Sequence, residues 1–195
     1  MSVGNFVGTP NAFSVNSVQV GEAGDKEFSV PVAVTSVALW LREQDRSRVG
    51  GPSFGTLVHE VLARTPFDAT REVLAEIAAG ESRILGMEHS DAAAAAEVVE
   101  RALAHDLLVR ARHAASRGAC RRETPVTLTL DDGTVVEGVV DLAFEENGEW
   151  TVVDYKTDRE IAAAGEDQYR RQVALYATAI ARATGARASG VLLRI

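Results

Sequence analysis

A chain of 195 residues with 46% apolar and 25% charged content can bury one sizeable core and is expected to form a single soluble globular domain. Its formal net charge of −8 argues against broad, nonspecific adhesion to nucleic acid. No apolar run approaches the roughly 20 residues that span a bilayer, the N-terminus lacks the basic-then-apolar layout of a secretory signal, and Cys120 stands alone; no membrane association, a cytoplasmic location, no internal disulfide and no four-cysteine metal or iron–sulfur site are therefore expected.

Residues 1–34 hold no sustained period and carry Gly, Asn, Ser and Thr clusters, so they read as a tail or linker with one strand at about Phe28–Val34. Ser36 is placed to cap a short helix from Val37 to about Arg46, after which the Gly-Gly-Pro of residues 50–52 breaks the chain. From Phe54 to about Arg64, Leu57, Val58, Val61 and Leu62 form an apolar stripe. His59 shares a face with Gly55 and Leu62, and the glycine permits another group to approach closely. A lone histidine on such a helix is most often an ordinary polar residue, because metal ligands come in clusters. Pro66 ends this helix, and Thr70–Ala79 follows with Val73, Leu74 and Ile77 on one face. Ser90-Asp91 is placed to cap a long helix from Ala92 to about Ser116, with Val98, Leu103, Leu107 and Leu108 as core and Gly118 as its stop.

The second half alternates in strand fashion. Thr124–Leu130 is a strand, Asp132-Gly133 a hairpin turn, Thr134–Glu145 a second strand, Asn147-Gly148 another turn and Trp150–Lys156 a third strand, which together make an antiparallel meander. A helix over Glu166–Thr184, closed by Gly185, and an apolar strand over Ala188–Ile195 permit a parallel pairing. The expected fold class is α/β (α+β): a mixed sheet flanked by helices, with an N-terminal helical layer.

Chemistry concentrates in Glu137–Asp158. Asp154 and Lys156 share one face of their strand with Trp150 and Val152, and Asp141 lies where a paired neighbour brings it close to Asp154. Two carboxylates and an ammonium in mid-sheet are costly to bury unless they hold a metal or each other. Asp141, Asp154 and the Tyr155 carbonyl suit a hard divalent cation such as Mg²⁺, and Lys156 could hold a water or stabilise charge on a phosphate. The alternative is a structural Asp–Lys pair on a solvated face. Lys156 is one of only two lysines beside eighteen arginines, and its compact ammonium cannot be imitated by a guanidinium fork. Tyr169, Gln172, Val173, Tyr176 and Ile180 recur at helical spacing, and Gln172 stands out in that stripe as an amide that needs partners.

These pieces together carry a resemblance. FGTLVHEVL at 54–62, RRETPVTL at 121–128, GVVDLAF at 138–144, VVDYKTD at 152–158 and YRRQVALYATAI at 169–180 resemble, in order and spacing, the RecB-family nuclease domain of the PD-(D/E)xK superfamily, as found at the C-terminus of RecB/AddA-type helicase-nucleases. The resemblance covers about residues 36–195, so residues 35–195 are expected to form the nuclease domain. It implies a restriction-endonuclease-like core, metal ligation by His59, Asp141, Asp154 and the Tyr155 carbonyl, and a catalytic Lys156. Gln172 and Tyr176 match the motif that positions the lysine or contacts the DNA backbone, and Glu123 matches a recurrent glutamate of the first strand. Lacking four cysteines, the chain resembles the cluster-free type; it also contains no GxxxxGK[ST] phosphate loop of its own.

The expected function is thus a Mg²⁺- or Mn²⁺-dependent deoxyribonuclease of exonuclease type, acting on single-stranded DNA or a duplex end. A helicase domain or subunit would be its partner in DNA repair and recombination. The alternative is a non-catalytic nucleic-acid binding or interaction module of a helicase complex, for which an intact Asp141/Asp154/Lys156 set would not be required. A metal-dependent hydrolase of some other phosphoester is a third reading.

Overall fold

A computed structural model of the chain describes residues 32–39 and 52–195. Its elements are β1 (Val34–Ala38), α1 (Pro52–Arg64), α2 (Arg71–Ile84), α3 (His89–Ala104), α4 (Asp106–Ala115), β2 (Cys120–Thr129), β3 (Val135–Glu146), β4 (Glu149–Lys156), α5 (Asp158–Ala164), α6 (Glu166–Thr184) and β5 (Arg187–Arg194). The five strands form one mixed sheet in the order β1-β5-β4-β3-β2. β2, β3 and β4 pair antiparallel, while β5 lies parallel to both β4 and β1. The meander, the parallel return after α6 and the helices on the sheet faces all match the sequence expectation, and the architecture is consistent with a restriction-endonuclease-like fold.

The two faces of the sheet are covered differently because its strands carry two apolar sets. Leu142, Phe144, Val153, Tyr155, Val191 and Leu193 pack against α1–α4 in the larger core. Val140, Ala143 and Val152 meet Tyr176, Ala177 and Ile180 of α6 on the other side. Leu192 joins Val173 and Ile161 in a small third cluster that brings α5 under the same helix.

Alternation reverses at one level of the sheet. Val140 faces α6 whereas Leu142 faces the helical layer. On β2, Val126 packs toward α6 but Arg122 reaches α1, and between them Glu123 has φ 45°. A side-chain period of two holds only while the backbone stays extended; the left-handed turn at Glu123, beside Asp141 on β3, swaps the faces.

Several expected boundaries change. The strand expected near Phe28–Val34 falls mostly outside the described residues, and β1 begins at Val34. Val37 and Ala38 do not open a helix: they complete β1 in parallel register with Leu193 and Arg194, and residues 40–46 lie outside the described residues. Ser36 is no helix cap either; its hydroxyl donates to Glu166 Oε1 at 2.5 Å. Tertiary pairing along the exposed edge of β5 outweighs local capping here.

The helix expected over 92–116 is two helices. His105 adopts φ −71°, ψ 141° and ends α3, and its Nδ1 accepts the Leu107 N–H at 3.1 Å to start α4. The cap of α3 lies at Glu88, whose N–H donates to the Asp91 carboxylate at 3.2 Å, rather than at Ser90-Asp91. Helix α5 is an addition to the elements expected from the sequence.

Candidate active site

Strands β3 and β4 pair from Glu146↔Glu149 to Leu142↔Val153 and no further. One step beyond, Asp141 and Asp154 stand beside each other. The Tyr155 N–H, freed from the ladder, donates to Asp141 Oδ2 at 2.8 Å. The remainder of β4 is held by β5 alone, through Asp154↔Leu192, Tyr155↔Leu193 and Lys156↔Arg194. The site therefore opens where an antiparallel ladder ends while a parallel one keeps the strand rigid.

Lys156 Nζ lies 2.8 Å from Asp154 Oδ2 and donates to the Tyr155 carbonyl at 3.0 Å. The face of Tyr169 lies 5.2 Å from the same nitrogen, a cation–π contact from α6. Both side chains are almost withdrawn from water, at 12% exposure for Lys156 and 4% for Asp154. Burial, and then the Asp141 carboxylate, raise the Asp154 pKa, against the pull of the ammonium. Burial works against a charged Lys156, but Asp154 and Asp141 more than offset it and hold the ammonium protonated. Negative charge thus exceeds what one ammonium neutralises.

His59 reaches the same place from α1. Its Nδ1 is 3.7 Å from Asp141 Oδ2, too long for a hydrogen bond, and its ring meets Tyr155 edge-on at 5.9 Å. Its buried Nε2 has no hydrogen-bond partner. Among the described residues no three His, Cys, Asp or Glu side chains form a ready-made cation cage. The carboxylates, the carbonyl and the imidazole are neighbours, with the Lys156 ammonium lying on two of the oxygens.

Glu123 stands at the rim, an exposed residue whose carboxyl is nonetheless partly desolvated. That desolvation, with the Asp141 carboxylate second, pushes the carboxyl up to about 7, and His59 opposes the shift. Gln172 does not reach the lysine: its Nε2 donates to Tyr176 Oη at 2.8 Å. Tyr176 in turn lies over Gly138, where a Cβ would collide with the phenolic oxygen and ring. The GVVD glycine is thus the socket for the tyrosine of α6, and the amide's partner is that tyrosine.

Three participants were not singled out from the sequence. Arg122 packs over the Phe67 ring at 3.7 Å and donates to the Leu62 and Thr65 carbonyls at 3.2 and 2.6 Å, so it closes the C-terminal end of α1. Thr157 and Glu160 form the capping box that starts α5. The Thr-x-x-Glu spacing is a readable signal for such a box, but seven residues are too few to show a helical period.

The profile of the PD-(D/E)XK nuclease superfamily matches residues 35–195, and the chain belongs to that superfamily. It is 29% identical, over 156 residues, to an ATP-dependent helicase/nuclease subunit of Lysinibacillus sphaericus (strain C3-41). That similarity covers 74% of this chain and only 12% of the relative, so the relative is a far longer protein. Among the described residues no helix is long and apolar enough to cross a membrane.

Proposed function

We propose that the chain is a divalent-metal-dependent DNA nuclease, of exonuclease type on single strands, that works as part of, or beside, a helicase in DNA repair and recombination. The observation that carries this reading is the Asp141–Asp154–Lys156 cluster, buried at Asp154 and half-buried at the other two, where the β3–β4 ladder ends, with an unpartnered histidine nitrogen beside it. The helicase context rests on the similarity to a helicase/nuclease polypeptide.

The donor set fits a hard cation: two carboxylates crowd each other, the Tyr155 carbonyl and Asp154 Oδ2 share the Lys156 ammonium, and His59 Nε2 lacks a partner. Asp141, Asp154, the Tyr155 carbonyl and His59 would hold Mg²⁺ or Mn²⁺. When bound, such a cation acidifies a water and polarises a phosphoryl oxygen. The protein's own groups do the rest. Lys156 supplies a fixed positive charge for the negative charge that develops on phosphorus-bound oxygen, and the Tyr169 face restrains that ammonium without neutralising it. Tyr176, buried on Gly138 and braced by Gln172, fixes α6, and with it Tyr169, against the sheet.

The test is cleavage of end-labelled single-stranded and duplex DNA with Mg²⁺ or with EDTA, by the wild type and by Asp154→Ala. Metal-dependent cleavage that falls by at least about 10²-fold in the variant is expected. Equal cleavage by Asp154→Ala would remove the catalytic assignment, and DNA binding without cleavage would point instead to a non-catalytic module.

A further inference from the structure

Helix α1 must hold His59 at a fixed distance from a strand it is not covalently close to. Its C-terminal end is held by Arg122. Its N-terminal end meets α5. Gly55, one helical turn before His59 and on the same face, is buried. A Cβ there would stand 3.3 Å from Glu160 Oε2 and 3.4 Å from Thr157 Cγ2. The group for which Gly55 leaves room is therefore a carboxylate. Glu160 Oε2 also accepts both the N–H and the hydroxyl of Thr157, each at 2.8 Å, and the Glu160 N–H returns a bond to Thr157 Oγ1 at 3.3 Å. Thr157 is the residue after Lys156. One carboxylate thus bonds the residue that follows the strand carrying Asp154 and Lys156 and fills the space beside Gly55 on the helix that carries His59.

We propose that Glu160 is a positioning residue: by resting on Gly55 while bonded to Thr157, it sets His59 against the Asp141–Asp154–Lys156 cluster. What the position serves rests on the nuclease reading above. A capping box alone needs no glycine on a neighbouring helix, and a glycine inside a helix lowers that helix's stability relative to alanine. The pairing of Gly55 with Glu160 is what joins the two elements. The same carboxylate is among the charges that favour protonated Lys156.

The experiment compares the full chain with Gly55→Ala, which leaves the capping box intact but crowds its carboxylate, and with Glu160→Ala, which removes the group that meets Gly55. The first readout uses the metal-free protein: the nuclear Overhauser contact between the His59 and Tyr155 rings. Loss or marked weakening of that contact in both variants is expected. Persistence of the ring contact in either variant overturns the proposal, even if melting falls, because Glu160 would then be only a helix cap. The second readout is the Mn²⁺ dissociation constant, expected to rise about 10- to 100-fold in the variants, with the loss of cleavage in kcat rather than in KM for DNA. A wild type that binds no Mn²⁺ and cleaves nothing would refute the nuclease reading while the ring contact still decides the role of Glu160.

Discussion

Lys156 rests on Asp154 Oδ2 and the Tyr155 carbonyl, two of the oxygens proposed to bind the metal, so its charge is already where anionic chemistry needs compensation. Replacing it by Lys156→Met keeps the stem and removes the ammonium. Cleavage should then fall by about 10²- to 10³-fold, the usual loss for a group that stabilises transition-state charge, while Mn²⁺ binding persists; loss of Mn²⁺ binding instead would make Lys156 part of the binding site's structure. Glu123 gives a pH signature in the metal-free chain. Its carboxyl binds a proton more tightly in the folded state, at about 7, than at its ordinary 4.5. The folded state therefore holds more protons than the unfolded one across that interval. The stability this group contributes is fully present below 4.5 and is lost as pH rises through about 7. Urea unfolding across that interval should show the decline in the wild type and a flatter profile in Glu123→Gln; identical profiles would dissociate Glu123 from the decline. At this scale the Asp–x–Lys triplet was legible because strand periodicity alone puts both side chains on one face. His59 was legible only through the resemblance, because a helix periodicity says which face a histidine occupies, never what stands opposite it.

Between elements, one contact that aligns α6 with the sheet is the seat of Tyr176 on Gly138. A methyl at Gly138 cannot coexist with the phenol, so Gly138→Ala should destabilise the fold by about 1–3 kcal/mol, the range for overpacking. Tyr176→Leu should cost stability of its own by leaving Gln172 without its partner. The double variant should cost less than the two together, because one substitution removes what the other collides with; strict additivity in a denaturation cycle would refute the seat. The meander was readable because Asp132-Gly133 and Asn147-Gly148 supply turn geometry at both corners, and Gly133 and Gly148 take positive φ of 85° and 80°. Helix α6 was readable from its period and its Gly185 stop. Helix α5 and the break at His105 were not, because one is too short for periodicity and the other interrupts a stretch whose helical propensity continues on both sides.

For the whole molecule, β1 matters beyond its five residues. It covers the edge of β5, Leu39 N donates to Arg194 O at 2.8 Å, and Arg170 of α6 donates to Ser36 Oγ at 3.0 Å and to Val34 O at 2.6 Å. A chain that starts at Val32 should therefore be more stable than one that starts at Trp40 by on the order of 3 kcal/mol, given roughly 1.5–3 kcal/mol for burying Leu39 and smaller shares from half-buried Val34 and Val37. Equal urea midpoints would show β1 to be dispensable. The sequence could not reveal this strand, because Val37-Ala38-Leu39 is equally compatible with a helix start and only the vacant edge of β5 decides. Alternation also misleads across Glu123 and Asp141, where both strands change faces at once. That reversal lets Asp141 answer both to His59 on the helical side and to the β4 backbone.

The end of the β3–β4 ladder at Leu142↔Val153 has one more consequence. The Tyr155 amide proton is held by a side chain, through Asp141, instead of by a neighbouring strand's carbonyl. Its exchange with solvent deuterium is therefore governed by what Asp141 is doing rather than by the opening of the sheet. If a cation draws the Asp141 carboxylate away, that single amide should exchange faster while those of Val152 and Val153 stay protected. The chain would then carry, in its own backbone, a reporter of occupancy that needs neither DNA nor turnover to be read.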